Sequence, residues 1–208
     1  MAILCAVLLT HSKGGLLATG IGLAVLLSCL LSATRLNRFG RFALAALVTV
    51  GILLTVHLAS EALRTGDGPG QAPRAALHEL VRQGLSDSPL LGHGYGAFEP
   101  TFQSYGDGSL QGYFPNADND YLEIAFDLGL PAASLLLLAL LAVALRCLYG
   151  VYSRRRDIVY PALAVGAAAL AGAQALIDFS LQIPATSALL AFILGLGYSQ
   201  SWTSSDSD

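Results

Sequence analysis

The sequence predicts an all-α integral membrane protein: a helical bundle of about five full spans plus a partial N-terminal one, with one large outer loop containing short helices. Three observations carry this. Of 208 residues, 54% are hydrophobic and only 12% charged, about half the ~25% charge usual in soluble domains. Mean hydropathy is +0.62, and the apolar residues gather into runs near the ~20-residue length that crosses a hydrocarbon core. The arginines beside those runs also fall where a single topology accounts for them.

Residues 1–10 are apolar but make only half a span. They lack a basic leader region, and no small-residue cleavage site follows. They read as the outer end of a span whose beginning is missing, and the chain as a fragment or C-terminal half of a longer membrane protein. Residues 15–33 and 42–60 are full spans. Residues 131–145 are apolar throughout and extend to about 150 if Arg146 snorkels. Residues 160–177, rich in Ala and Gly, and the shorter 184–198 complete the set. The chain thus divides into 1–60 (partial span and two helices), 61–128 (outer loop), 129–199 (three helices) and a 200–208 tail. Cys5, Cys29 and Cys147 all fall in apolar runs and read as small hydrophobes without zinc spacing.

Arg35, Arg38 and Arg41 share one short loop; Arg154, Arg155 and Arg156 share another. Two spans separate these loops, so both lie on one side, the cytoplasmic side by the positive-inside rule. Alternation then puts residues 12–14, the segment 61–127 and the hairpin 178–184 outside, and the tail inside. The outer loop carries ten acids and three arginines, Arg64, Arg74 and Arg82. It opens with a Gly/Pro linker, TGDGPGQAP. Residues 75–85 follow as an amphipathic helix, with Leu77, Leu80, Val81 and Leu85 on one face. The next stretch is rich in Gly and aromatics; Tyr95, Phe98, Phe102, Tyr105, Tyr113 and Phe114 are expected on the membrane interface. GHGYGAF follows no strand, which argues against a nucleotide site.

In PNADNDYLEIAFDLGLP, Asp120 is placed to cap a helix with Glu123 three residues on. Gly129 and Pro131 break that helix, and Pro131 suits the first turn of a span. The expectation is an interfacial helix with Asp120, Glu123 and Asp127 facing water. Asp118 and Asn119 precede it and need another account.

Four stretches in order, HSKGG at 11–15, SPLLGHGYGAFE at 88–99, ADNDYLEIAFDLGLP at 117–131 and IDFSLQIPA at 177–185, resemble motifs of the O-antigen ligase and polymerase family of bacterial envelope enzymes. The resemblance implies a multi-pass glycosyltransferase of the inner membrane with its large loop in the periplasm. Such enzymes move a glycan from undecaprenyl diphosphate to an acceptor hydroxyl on lipid A core, another glycan repeat or protein. It implies roughly twice as many spans as this chain has.

Residue by residue, the family's diphosphate-binding arginines map to Lys13 and Arg74, since cationic side chains grip phosphate oxygens. Lys13 is a departure from the family's arginine, and is the only lysine in the chain. The family's histidine before Asn119 is here Asp118, a carboxylate that can serve as general base toward the acceptor. His78 or His93 could stand in for the imidazole. Asp178, Gln182, His93 and Tyr121 are the substrate-binding candidates. No cofactor, metal or nucleic acid is implied, and membrane lipids surround the bundle. Plainer roles compete: Lys13 as an interface residue, Arg74 as a solvated charge, Asp118 and Asp178 as turn caps, His11, His57, His78 and His93 as packing or loop residues. The competing function is a non-catalytic membrane component of a polysaccharide assembly complex; a transporter would need polar residues inside the spans.

Overall fold

A computed structural model describes residues 13–33, 71–105, 116–154 and 157–202. Helices α1 (Lys13–Ala33), α2 (Gln71–Asp87) and α3 (Phe98–Phe102) come first, with α3 continuing into a 3₁₀ turn, Gln103–Tyr105. Then follow α4 (Asp120–Ser153), α5 (Val159–Gln174), a second 3₁₀ turn (Ser180–Gln182) and α6 (Pro184–Ser199). No strand occurs among the described residues. The expected half-span 1–10, the span 42–60 and the arginine loop 35–41 lie outside them.

Within α1, Gly14–Ser32 is long and apolar enough to cross a membrane, and so is α4. Helices α5 and α6 are apolar but have 16 residues each, about 24 Å at 1.5 Å per residue, short of a ~30 Å hydrocarbon core. The expectation of five full spans therefore meets two helices of spanning length and two shorter ones among the described residues. On α4, Leu135 and Leu138 turn outward, 72% and 61% exposed, an arrangement that suits a hydrocarbon surrounding.

Helix α4 is broken at Gly129, whose φ of 76° and ψ of 162° are not helical. The break divides a polar section, 120–128, from an apolar one beginning at Pro131. The apolar section from Pro131 to Ser153 would by itself extend about 34 Å, long enough to cross a ~30 Å hydrocarbon core without the acids. Pro131 sits in the first turn after the break, where its missing N–H leaves no helical bond unmade.

Helices α1 and α5 run antiparallel at close range. Gly14 abuts Ile177, Gly22 abuts Leu170 and the Gly166 carbonyl, and Gly166 abuts Leu26. Small residues allow this approach. Cys29, Val151 and Ala162 form one bundle core, and Cys147, Ala164 and Leu194 another. The starts of α1 and α4, the end of α5 and the 178–183 hairpin share one end of the bundle. At the other end Gly150 meets Ser201, Arg154 donates to the Gln200 carbonyl, and the Arg146 guanidinium lies 4.3 Å from the Trp202 ring centroid.

A third core sits at the first end. Leu77, Leu80 and Val81 of α2 pack with Phe98, Phe102, Ala117 and Phe126, as the apolar face of α2 predicts, although the helix begins at Gln71 and Leu85 is only half-buried. Two expectations are corrected here. Phe98 and Phe102 are not interface anchors but are buried, stacked with 5.0 Å between centroids. The acids Asp120, Glu123 and Asp127 face this core and the hairpin rather than water.

Candidate active site

The Gly129 break strands helical hydrogen-bonding groups, and the 88–94 loop satisfies them. His93 donates its backbone N–H to the Phe126 carbonyl (3.0 Å), Gly94 to the Asp127 carbonyl (2.8 Å), and Leu130 to the Pro89 carbonyl (2.8 Å). Buried backbone groups demand such partners. Gly92 holds φ 65°, and a Cβ there would lie 2.2 Å from the Asp127 carbonyl oxygen. The Asp127 carboxylate accepts the Gly96 N–H at 2.6 Å. The SPLLGHGYG motif is thus a brace for the broken helix. His93 belongs to that brace: its ring lies over Phe126 at 4.3 Å and its Nε2 is 3.0 Å from the Gly84 carbonyl oxygen.

Asp118 and Asn119 stand at the mouth of the polar section of α4. Asp118 holds φ 51°, the left-handed region. The N-cap is Asn119 rather than Asp120: its Oδ1 accepts the Leu122 N–H at 3.1 Å, and its Nδ2 donates to the Leu176 carbonyl at 3.2 Å. Either residue offers a short side-chain oxygen, so the sequence pattern alone does not distinguish them. Asp120 instead turns fully inward. Its N–H donates to Ala175 (2.9 Å), and its Oδ2 accepts the Leu181 N–H (3.0 Å). Its Oδ1 meets no hydrogen-bond partner of standard geometry among the described residues.

The hairpin completes this end. Asp178 accepts from Gln174 Nε2 (3.0 Å) and from the Phe179 N–H (2.9 Å), so it does cap its own turn. Gln182, half-buried, donates its N–H to the Phe179 carbonyl. Tyr121 donates its hydroxyl to the Gly172 carbonyl at 2.9 Å. Asn119, Tyr121, Asp178 and Gln182, far apart in sequence, therefore gather where α4 meets the hairpin. Lys13 opens α1 at the same end, next to Gly14, which touches Ile177. Arg74 lies in the first turn of α2, one turn before His78. Among the described residues, no group of three or more His, Cys, Asp or Glu is arranged to hold a metal.

The acids make this end electrostatically unusual. Burial pushes the Glu123 carboxyl up to about 7, against the pull of the Ala117 N–H; Asp127, Asp120 and Asp118 add repulsion. Burial also raises Asp120 and Asp127, while the backbone N–H groups they accept lower them. The sequence reading missed these three as inward-facing. The signal was present: positions 120, 123 and 127 lie on one helical face.

Below Tyr121, Gly172 and Leu181 an apolar cavity of about 400 Å³ descends between α4, α5 and α6, walled by Leu137, Leu141, Ala168, Leu190 and Leu194. Fold and site together define a helical membrane protein with an acidic, loop-braced end above an apolar cavity. A family model described as O-antigen ligase matches residues 1–137, and the chain belongs to that family. The match takes in the 11–15, 88–99 and 117–131 motifs; α5, the hairpin and α6 lie beyond it. Comparison with curated proteins and with solved structures found no match.

Proposed function

We propose that the chain acts as a glycosyltransferase on the periplasmic face of the bacterial inner membrane, moving a glycan from undecaprenyl diphosphate to an acceptor hydroxyl. The acceptor oxygen attacks the anomeric carbon of the donor sugar, and the bond from that carbon to the diphosphate oxygen breaks. Asp118 takes the hydroxyl proton, and undecaprenyl diphosphate departs with the electron pair. Arg74 and Lys13 offset its charge, each such charge-assisted contact contributing roughly 1.5–3 kcal/mol. Asn119, Tyr121, Asp178, Gln182 and His93 line or support the glycan side.

Family membership supports the reaction class. What supports the reading of these residues is the bond from Asn119 to the Leu176 carbonyl, just before the hairpin that carries Asp178. With the contact of Gly14 and Ile177, it groups the Asp118–Asn119 pair, Asp178 and the start of α1 at one end of the bundle. The apolar cavity under Tyr121 suits a polyprenyl chain whose diphosphate stays at that end.

The test is transfer of a lipid-linked glycan to an acceptor in membranes carrying this chain. Wild type should transfer, and Asp118→Asn and Arg74→Ala should not. Full activity in both variants overturns the roles. Inactive wild-type chain favours a non-catalytic part in a polysaccharide assembly complex.

A further inference from the structure

Two ionisable side chains that the proposed transfer leaves unused close on the backbone of a single residue. Glu123 Oε2 accepts the Ala117 N–H at 2.9 Å. His78 Nε2 lies 3.2 Å from the Ala117 carbonyl oxygen; a carbonyl can only accept, so the His78 nitrogen facing it carries a proton. One group comes from α2 and the other from α4, 45 residues apart by their numbers. Ala117 itself is fully buried, in the core with Leu77 and Phe126. Both polar groups of this residue are thus held by side chains, although it lies in no helix.

The next residue is Asp118, at φ 51°. Aspartate tolerates that region better than most residues with a Cβ, yet it is held there only where its surroundings favour the turn over the ordinary regions. Asn119 follows immediately, at φ −161° and capping α4. Backbone held on one side by the cap and on the other by the Ala117 contacts has little freedom between. Because the Ala117 N–H and C=O are gripped by different helices, the grip also ties the α2 layer to the start of α4.

We infer that His78 and Glu123 are positioning residues, which fix Ala117 from both sides and so hold Asp118 in its left-handed turn. The inference rests on the reading that Asp118 handles the acceptor. It gives the α2 layer a task in that reaction: His78 aligns the base without touching substrate. Removing either contact lets the 117–118 backbone relax and moves the carboxylate. A displacement near 1 Å can cost on the order of a hundredfold in rate, so kcat should fall while the acceptor KM changes little.

Glutamine can replace either group conservatively, as its amide offers an acceptor at position 123 and a donor at position 78. Leucine offers neither. Glu123→Leu and His78→Leu should lower kcat at least tenfold, whereas Glu123→Gln and His78→Gln should stay within about threefold of wild type. In the same proteins, amide hydrogen exchange over residues 117–119 should quicken about tenfold in the leucine variants and stay near wild type in the glutamine variants. Unchanged exchange in both leucine variants overturns the clamp, as does equal loss in leucine and glutamine variants. If exchange behaves as stated while Asp118→Asn transfers normally, the clamp stands and the role given to Asp118 fails.

Discussion

Gly92 and Gly129 pack backbone against backbone. A Cβ on Gly129 would lie 2.8 Å from the Gly92 nitrogen and 2.5 Å from the Leu90 carbonyl oxygen, and the two glycines hold φ of 65° and 76°. Their contact fastens the 88–94 loop to the break in α4, and so sets where the polar section leaves the spanning one. Gly129→Ala should therefore cost about 2–4 kcal/mol, from a conformation open only to glycine together with an unavoidable backbone clash. Gly96 also has positive φ, but nothing lies within 4 Å of its Cβ position. Gly96→Ala should cost only the conformational part, about 1–2 kcal/mol. Denaturation of both variants in detergent checks the order; equal losses would show that the close approach at Gly129 contributes nothing.

Asp120 joins the start of α4 to the hairpin through the Leu181 N–H. Asp120→Ala leaves that N–H without its acceptor and should destabilise the protein by about 1–3 kcal/mol. The loss should be local as well as global, because the other bonds to the start of α4, at Ala175 and Leu176, are made before the hairpin begins. Hydrogen exchange at residues 180–182 should rise more than exchange in α6. Uniform change across the bundle would speak against a specific tie.

Much of this architecture is legible in the sequence. The face of α2 follows from Leu77, Leu80 and Val81 at helical spacing, and the break in α4 from Gly129 and Pro131. What periodicity does not reveal is the partner a face meets. Asp120, Glu123 and Asp127 share a face, and acids near apolar runs ordinarily face water; here each accepts a backbone N–H from outside its helix, at Leu181, Ala117 and Gly96. Phe98 and Phe102 have the composition of an interface girdle but are buried under α2, because composition is the same whether an aromatic meets lipid or core. For the site, the Asp118–Asn119 pair and the hairpin were both identifiable from the sequence. Their meeting through Leu176 was not, since it depends on the bundle's folding.

Glu123 gives the protein a defined pH response. Its folded carboxyl titrates at about 7, against 4.5 for the unperturbed group, chiefly because burial disfavours the charge. Between those values the folded chain binds a proton that the unfolded chain releases, so this group's contribution falls as pH rises through that window. Glu123→Gln cannot titrate. Its stability relative to wild type should rise by about 1–3 kcal/mol between roughly pH 4.5 and 7 and level off on either side. Paired denaturation curves across that range test this, and a constant difference would mean that Glu123 does not titrate in the window.

The conformation of Asp118 decides which variants can test its chemistry. At φ 51°, asparagine and glycine fit without added strain, whereas alanine adds about 1 kcal/mol or more. Asp118→Asn keeps the shape and removes the base, so transfer should fall by about 10²–10⁴ while the thermal midpoint stays near wild type. Asp118→His installs the residue that the family resemblance puts at this position. Histidine also tolerates positive φ, and its imidazole can take the acceptor proton once neutral. Transfer by this variant should survive, rising as pH climbs through about 6.5, where neutral imidazole forms. Such a rise in the histidine variant alone would locate the proton acceptor at position 118. If Asp118→Asn transfers as fast as wild type, the base lies elsewhere and the carboxylate serves only the turn.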